Sequence, residues 1–199
     1  MQTKLDLIEQ YVYRKFSQDF TGHDYYHMRR VAKMAKHIAE IEGGDLFISE
    51  AAGWLHDIGD KKLFEHPDSE RKELQHFLTN IGLSHSVTEA IFQAITDVSY
   101  SKGHIPKSLE GKIVQDADRI DAIGAIGIAR TFAFGGAKDR LIHADEGEEK
   151  RLASIQHFHD KLLRLYQLMN TDRGRAIAKD RHEFMEGFLD QFYEEWGGR

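Results

Sequence analysis

The stretch Trp54-Leu55-His56-Asp57-Ile58-Gly59-Asp60 places an imidazole and a carboxylate side by side at the end of an apolar segment. Ala52, Leu55 and His56 follow the three-to-four residue spacing of one helix face, and glycine commonly ends a helix. The stretch therefore predicts a buried helix with His56 and Asp57 on its last turn. Ser49 is expected to cap the start of that helix.

Helical periodicity extends outward from this stretch in both directions. In several segments apolar residues recur every three or four positions, and no run alternates convincingly with period two. One long helix is predicted over 109–134 and two more over 151–169 and 173–196, while Ser86 to Glu89 has the form of a capping box at the start of another helix. The pattern predicts an all-α, single-domain helical bundle.

Composition narrows the classes of function. The chain has 199 residues, enough for one substantial core, with 41% hydrophobic and 30% charged residues. Its net charge of -6 argues against binding a nucleic acid polymer, which requires a basic surface. There is no cysteine, so a metal would be bound by imidazole and carboxylate groups. The start of the chain lacks an apolar secretory core, and we expect a cytoplasmic protein that does not bind membranes.

Two further segments and the His56-Asp57 pair form a three-part pattern, which is more specific than the pair alone. The first is His27-Met28-Arg29-Arg30-Val31, and the second is Asp116-Ala117-Asp118-Arg119-Ile120-Asp121-Ala122. In this order the three segments resemble the motifs of the HD phosphohydrolase superfamily. The resemblance implies an HD-type helical bundle that spans 1–199, with a metal-site core over about 20–125 and C-terminal helices over about 151–196. It also implies four metal ligands, which are His27, His56, Asp57 and Asp118.

The resemblance continues beyond the ligands. The segments His23 to His27, Ile123 to Arg130 and His157 to Leu163 are similar to a bacterial and fungal branch of this superfamily, whose members are described as nucleotide pyrophosphatases. This similarity implies hydrolysis of a (deoxy)nucleoside triphosphate to monophosphate and pyrophosphate. Two alternatives stay open: a nucleoside monophosphate or cyclic-nucleotide phosphohydrolase, and a non-catalytic nucleotide-binding regulatory module. The expected partner is a small nucleotide, and the expected assembly is a monomer or homodimer.

The implied ligand set agrees with the chemistry of a divalent cation. Two neutral imidazoles and two carboxylates offset its charge and leave positions open for water or phosphate oxygen. We expect one ion, with Mn²⁺ preferred and Co²⁺, Ni²⁺, Fe²⁺ or Mg²⁺ as alternatives. Val98 stands where some HD enzymes have a histidine for a second metal. His66, His76 and His85 lack a neighbouring ligand pair.

Other residues near these motifs are candidates for catalysis or substrate binding, each with a structural alternative. His23 could donate a proton to the leaving group or cap a helix, and Asp60 could orient a ligand or be solvated after a helix end. The candidate catalytic residues are His23, Asp60, Lys61 and Asp97. The candidate substrate-binding residues are Arg30, Lys61, Tyr100, Lys102 and Arg119; for the arginines the alternative is a structural ion pair, for example with Asp121.

Overall fold

The computed structural model describes residues 2–18, 22–96, 98 and 103–199. These residues form helices and turns, and no strand occurs among them. The predicted all-α fold is therefore confirmed. The chain divides into two compact units, Met1–Asp118 and Arg119–Arg199. The domain boundaries expected from the sequence stay a prediction.

The first unit is built around the packing of its second and third helices. Its elements are α1 (Gln2–Phe16), α2 (Tyr25–Glu42), α3 (Leu46–Leu55), α4 (Pro67–Asn80), α5 (His85–Ile95) and most of α6 (Leu109–Asp121). Helix α3 contacts α2 most extensively and also packs on α1 and α5. Residues such as Ile8, Val12, Val31, Leu55 and Ile91 are fully buried, as the apolar stripes predict.

Gly53 permits the close approach of α2 and α3. A Cβ atom built on Gly53 would lie only 2.7 Å from the Cα of Ala32 and 3.0 Å from its backbone nitrogen. A larger residue would therefore collide with the backbone of α2, which cannot move aside as a side chain can. The absence of a side chain at this position lets the two helices approach, and they carry His27 and His56 respectively.

Two helix starts differ from the prediction. Asp45, and not Ser49, caps α3: its Oδ1 accepts a hydrogen bond of 2.9 Å from the backbone nitrogen of Ile48. Ser49 is instead buried inside that helix. Ser84, two residues before Ser86, is the cap of α5. In both cases the acceptor side chain that precedes the first turn is the cap, because only there does it face unpaired backbone N–H groups.

The second unit contains α7 (Gly124–Ala137), α8 (Gly147–Leu152), α9 (Ser154–His157), α10 (Leu163–Leu165) and α11 (Asp172–Trp196). A π-helical turn (Phe158–Leu162) precedes α10, and a 3₁₀ turn (Tyr166–Leu168) follows it. The fully buried Phe158 lies between Phe132 and Phe188, with ring centroids 6.0 and 5.9 Å away. These aromatic rings form the centre of the unit's core.

The long helix predicted over 109–134 is wrong, because two helices occupy that range. Gly124 has φ of +74°, a left-handed conformation that a continuous helix does not accommodate. The predicted helix over 151–169 is likewise interrupted at Ala153, whose ψ of 153° is extended. No single helix among the described residues is long and apolar enough to cross a membrane, and α6 and α7 pass that test only when joined across their break.

Candidate metal centre

Helix α2 presents His27 at its first turn. Asp24 caps this helix, and its Oδ1 accepts a hydrogen bond of 2.7 Å from the backbone nitrogen of His27. The capping function considered for His23 therefore belongs to Asp24, whose shorter carboxylate reaches the free N–H groups of the turn. The His27 side chain itself is fully buried and points into the first unit.

His56 and Asp57 lie where α3 ends. His56 is the C-cap residue, and Asp57 follows in a turn in which its carbonyl accepts a hydrogen bond of 3.1 Å from the Asp60 nitrogen. The Nδ1 of His56 lies 2.9 Å from the carbonyl oxygen of Gly53. A carbonyl only accepts, so Nδ1 carries the proton and the lone pair of a neutral imidazole is on Nε2.

The four ligands implied by the resemblance converge at one point. The Nε2 of His27 lies 3.7 Å from Oδ2 of Asp57 and 3.6 Å from Oδ1 of Asp118. The Nε2 of His56 lies 3.5 Å from Oδ1 of Asp57 and 3.8 Å from Oδ1 of Asp118. Residues more than 60 positions apart in the sequence thus bring nitrogen and oxygen atoms together.

These separations fit a divalent cation. With bonds of about 2.1 Å, neighbouring ligand atoms in an octahedral shell lie about 3.0 Å apart and opposite ones about 4.2 Å apart. The observed values of 3.5 to 3.8 Å fall between these limits. In addition, the buried Nε2 of His56 makes no hydrogen bond to any part of the chain that the structure describes. A buried nitrogen lone pair that faces two carboxylates is accounted for by a bound cation.

Asp57 is held in its charged form. Burial acts to raise the pKa of its carboxyl group, but the electrostatic interactions with the His56 and His27 rings and the hydrogen bond with His23 outweigh burial and lower that pKa well below its ordinary value. Oδ2 of Asp57 lies 2.8 Å from Nδ1 of His23. Asp57 is therefore a carboxylate at neutral pH, as a metal ligand must be.

His23 joins the centre through this contact. His23, His27 and Asp57 form one group of three whose ligand atoms lie within 4.8 Å of one another, and His27, His56 and Asp118 form a second such group. His27 belongs to both groups but has one Nε2 lone pair, and a lone pair binds one ion. The two groups are therefore parts of a single centre, in which His23 either hydrogen-bonds Asp57 or replaces a ligand.

Residues next to the ligand positions have varied surroundings. The carboxylate of Asp60 accepts a hydrogen bond of 2.8 Å from the backbone nitrogen of Lys62, so it stabilises the turn after the centre. Lys61 is exposed, and Arg30 is half-buried on α2. The catalytic and substrate-binding roles expected for these residues stay predictions.

Arg119 and Asp121 have partners within the second unit. The buried Arg119 donates from Nη1 to the carbonyl oxygen of Leu168. Asp121 forms an ion pair of 2.6 Å with Nη1 of Arg130. Arg130 was not among the partners expected for Asp121. A role for Arg119 in binding phosphate stays a prediction.

Several candidates cannot be placed in the centre. Asp97, Tyr100 and Lys102 lie outside the described residues. Val98 is buried, and its carbonyl oxygen lies 3.5 Å from Nε2 of Gln115.

Three further histidines were considered as metal ligands. His66, His76 and His85 are exposed, and none of them belongs to a group of three ligands among the described residues.

Comparison with known proteins agrees with this geometry. Residues 24–123 match the model of the family described as HD domain, a range that contains all four implied ligands. The chain belongs to the HD domain family. This assignment confirms the resemblance that the three sequence motifs suggested.

The relatives of this HD domain protein match over nearly its whole length. It is 41% identical over 198 residues to the uncharacterized protein YpgQ of Bacillus subtilis (strain 168), covering 96% of this chain and 93% of the relative. A crystal structure of YpgQ in complex with ADP has a TM-score of 0.82 at 39% identity, covering 96% of this chain and 97% of that one. A Bacillus thuringiensis structure described as an HD-superfamily hydrolase has a TM-score of 0.84 at 41% identity, covering 100% and 99%. The chain is thus an HD-superfamily hydrolase by family.

Two features of the centre were not predicted from the sequence. One is the carbonyl of Gly53, which sets the proton position on His56, and the other is the hydrogen bond between His23 and Asp57. The first had a visible signal, since Gly53 precedes His56 by three residues on one helix. The second had none, because it joins residues 34 positions apart.

Proposed function

We propose that the chain is a metal-dependent phosphohydrolase that cleaves a nucleoside triphosphate, in the deoxy or ribo form, to monophosphate and pyrophosphate. The observation that carries the proposal is the convergence of His27, His56, Asp57 and Asp118, in which the imidazole Nε2 atoms lie 3.5 to 3.8 Å from the carboxylate oxygens. This arrangement suits one divalent cation, and we propose Mn²⁺ as that ion. When bound, such a cation polarises a phosphoryl group and makes water a better nucleophile.

A nucleotide is the substrate class that the relatives favour. YpgQ, which aligns with nearly the whole of this chain, was crystallised in complex with ADP. A nucleoside polyphosphate carries the phosphate oxygens that a partly filled cation shell accepts. The choice of the α–β bond rests on the similarity to pyrophosphatases given by the sequence segments around His23, Ile123 and His157.

Each residue of the centre would have a distinct role. His27 and His56 supply neutral nitrogen ligands, and the Gly53 carbonyl keeps the proton of His56 on Nδ1. Asp57 and Asp118 supply negative charge. His23 holds a proton on Nδ1 against Oδ2 of Asp57, which fixes the orientation of that carboxylate. Lys61, exposed four residues after Asp57, would contact a substrate phosphate.

A panel of nucleotides tests this proposal. Metal-stripped protein is restored with Mn²⁺, Co²⁺, Ni²⁺ or Mg²⁺ and incubated with nucleoside triphosphates, monophosphates and cyclic nucleotides. Phosphate and pyrophosphate are scored separately, with Asp57→Ala beside the wild type. We expect metal-dependent release of pyrophosphate from triphosphates, lost in the variant.

Other outcomes would identify the alternatives. Release of phosphate from monophosphates, or opening of a cyclic nucleotide, would keep the centre and replace the substrate. Nucleotide binding without turnover under any metal would contradict the enzyme and favour a regulatory module.

A further inference from the structure

A groove of about 550 Å³ lies between α4 and α5, within the first unit. Arg71 and Lys72 of α4 line one side, and Thr88 and Phe92 of α5 line the other. None of the four residues assigned to the metal centre lines it. Its volume is within the range of about 300–1,000 Å³ that is typical of small-molecule sites.

The groove is basic although the chain is acidic overall. Arg71 and Lys72 contribute two positive charges, and neither forms an ion pair within the described residues. The carboxylate in the lining, Glu89, has its Oε1 3.5 Å from Nε2 of His85, and both side chains are largely exposed. Arg71, in contrast, is half-buried, and its planar guanidinium can bind two phosphate oxygens at once.

The opposite wall supplies a hydroxyl group and a ring. Thr88 is 5% exposed, and its Oγ1 makes no hydrogen bond to the described part of the chain. A buried hydroxyl without a partner is costly. This oxygen is closed off from solvent, so the Thr88 side chain must turn toward the groove for a ligand there to relieve that cost. Phe92 is half-buried one helical turn further along α5 and offers a ring for a planar group to pack against.

We propose that this α4–α5 groove is a second ligand site, which binds a small phosphate-bearing molecule with a planar ring. The phosphate contacts Arg71 and Lys72, the hydroxyl of Thr88 bonds a polar atom of the ligand, and the ring packs on Phe92. The proposal does not depend on the hydrolysis proposed above, because it rests on residues outside the metal centre.

Arg71 also connects the groove with the turn that carries Asp57. A Cβ built on Gly59 would lie 2.8 Å from Cγ of Arg71, so the arginine side chain packs directly on Gly59. Gly59 follows Asp57 by two residues. A ligand that moves the guanidinium would therefore change the packing behind this turn.

The test is an amide NMR titration of the full chain with the diamagnetic ion Mg²⁺ at the metal centre, with adenosine monophosphate and inorganic phosphate as separate probes. We expect saturable shifts over 71–75 and 85–93, with tighter binding of the monophosphate because it adds a ring. These shifts should persist in Asp57→Ala, which disables the metal centre and leaves the groove intact.

Substitutions at groove residues test which side chains contact the ligand. The double change Arg71→Gln with Lys72→Gln should weaken binding at least about tenfold, and Thr88→Val about fivefold. Lys72→Gln alone, at an exposed position that does not touch Gly59, should also weaken binding, which guards against an indirect effect of losing Arg71. Lys33→Gln, an exposed lysine of α2, is the matched control and should bind as the wild type does.

Three results would overturn the proposal. The first is a set of shifts confined to residues around the metal centre or abolished by Asp57→Ala. The second is equal affinity in the wild type and in the double variant. The third is equal affinity for inorganic phosphate and the monophosphate, which would show that the ring of the ligand contributes nothing to binding. Failure of the nucleotide turnover assay would leave all three readouts unaffected.

Discussion

At the residue scale, the contact of His23 with Asp57 favours a role for His23 in positioning Asp57 over a role as a metal ligand. Asp57 faces two buried imidazoles, with Oδ1 3.5 Å from Nε2 of His56 and Oδ2 3.7 Å from Nε2 of His27. The partly exposed His23 lies 2.8 Å from the same Oδ2. A hydrogen bond to a ligating carboxylate fixes its orientation and its basicity. His23 is thus suited to holding Asp57 in place.

The change His23→Gln tests this role. Glutamine is too short to reproduce the imidazole contact, so we expect kcat to fall about 10- to 100-fold while the metal content stays near that of the wild type. His37→Gln, a half-exposed histidine on α2, is the control and should have wild-type kcat. Metal loss equal to that of Asp57→Ala would contradict positioning and make His23 a ligand.

At the scale of the elements, the centre depends on how closely α3 lies against α2. The Nδ1 of His56 is held by a carbonyl of its own helix, whereas the distance to His27 depends on the packing at Gly53. The distances between the proposed ligand atoms therefore depend on the packing of α2 and α3 as well as on the side-chain conformations.

Gly53→Ala should both destabilise the protein and weaken the metal centre. The added methyl group would lie 2.7 Å from the Cα of Ala32, so the helices must separate, at a cost of about 1–3 kcal/mol. Urea unfolding of the metal-free protein measures the stability, and a metal titration measures the affinity. Gly187→Ala, in α11 with nothing within 4 Å, should be neutral or slightly stabilising. An unchanged metal affinity in Gly53→Ala would show that the separation of α2 and α3 is not critical.

The elements also show where sequence reasoning works and where it fails. Buried stripes such as Ile8 and Val12 were predictable because burial imposes a periodic pattern. The break at Gly124 was missed because apolar spacing continues through it, although the glycine's left-handed φ ends the helix. The cap of α3 was misplaced because both Asp45 and Ser49 have capping side chains, and burial decides between them.

The candidate metal centre was also predictable only in part. Short sequence motifs indicate candidate ligands, so His56 and Asp57 could be proposed as ligands from the amino-acid sequence alone. The supporting contact of His23 could not, since it depends on the fold bringing distant segments together.

At the scale of the whole molecule, a bound cation should stabilise the fold. Its proposed ligands lie on α2, at the end of α3 and on α6, so binding would link elements that unfolding separates. A cation that binds the folded chain alone stabilises it by about 2.7 kcal/mol at a hundredfold excess over Kd. Thermal unfolding with increasing Mn²⁺ should therefore give a rising Tm. A Tm that chelator and Mn²⁺ leave unchanged would contradict a preformed centre.

The central claim, that His27, His56, Asp57 and Asp118 form one cation site, is tested most directly by a Mn²⁺ binding titration. Free Mn²⁺ is followed by electron paramagnetic resonance for the wild type and for Asp118→Asn, with Asp145→Asn as an exposed control. We expect one ion per chain in the wild type and the control, and affinity at least about tenfold weaker in Asp118→Asn. Equal affinity in all three proteins would contradict the claim.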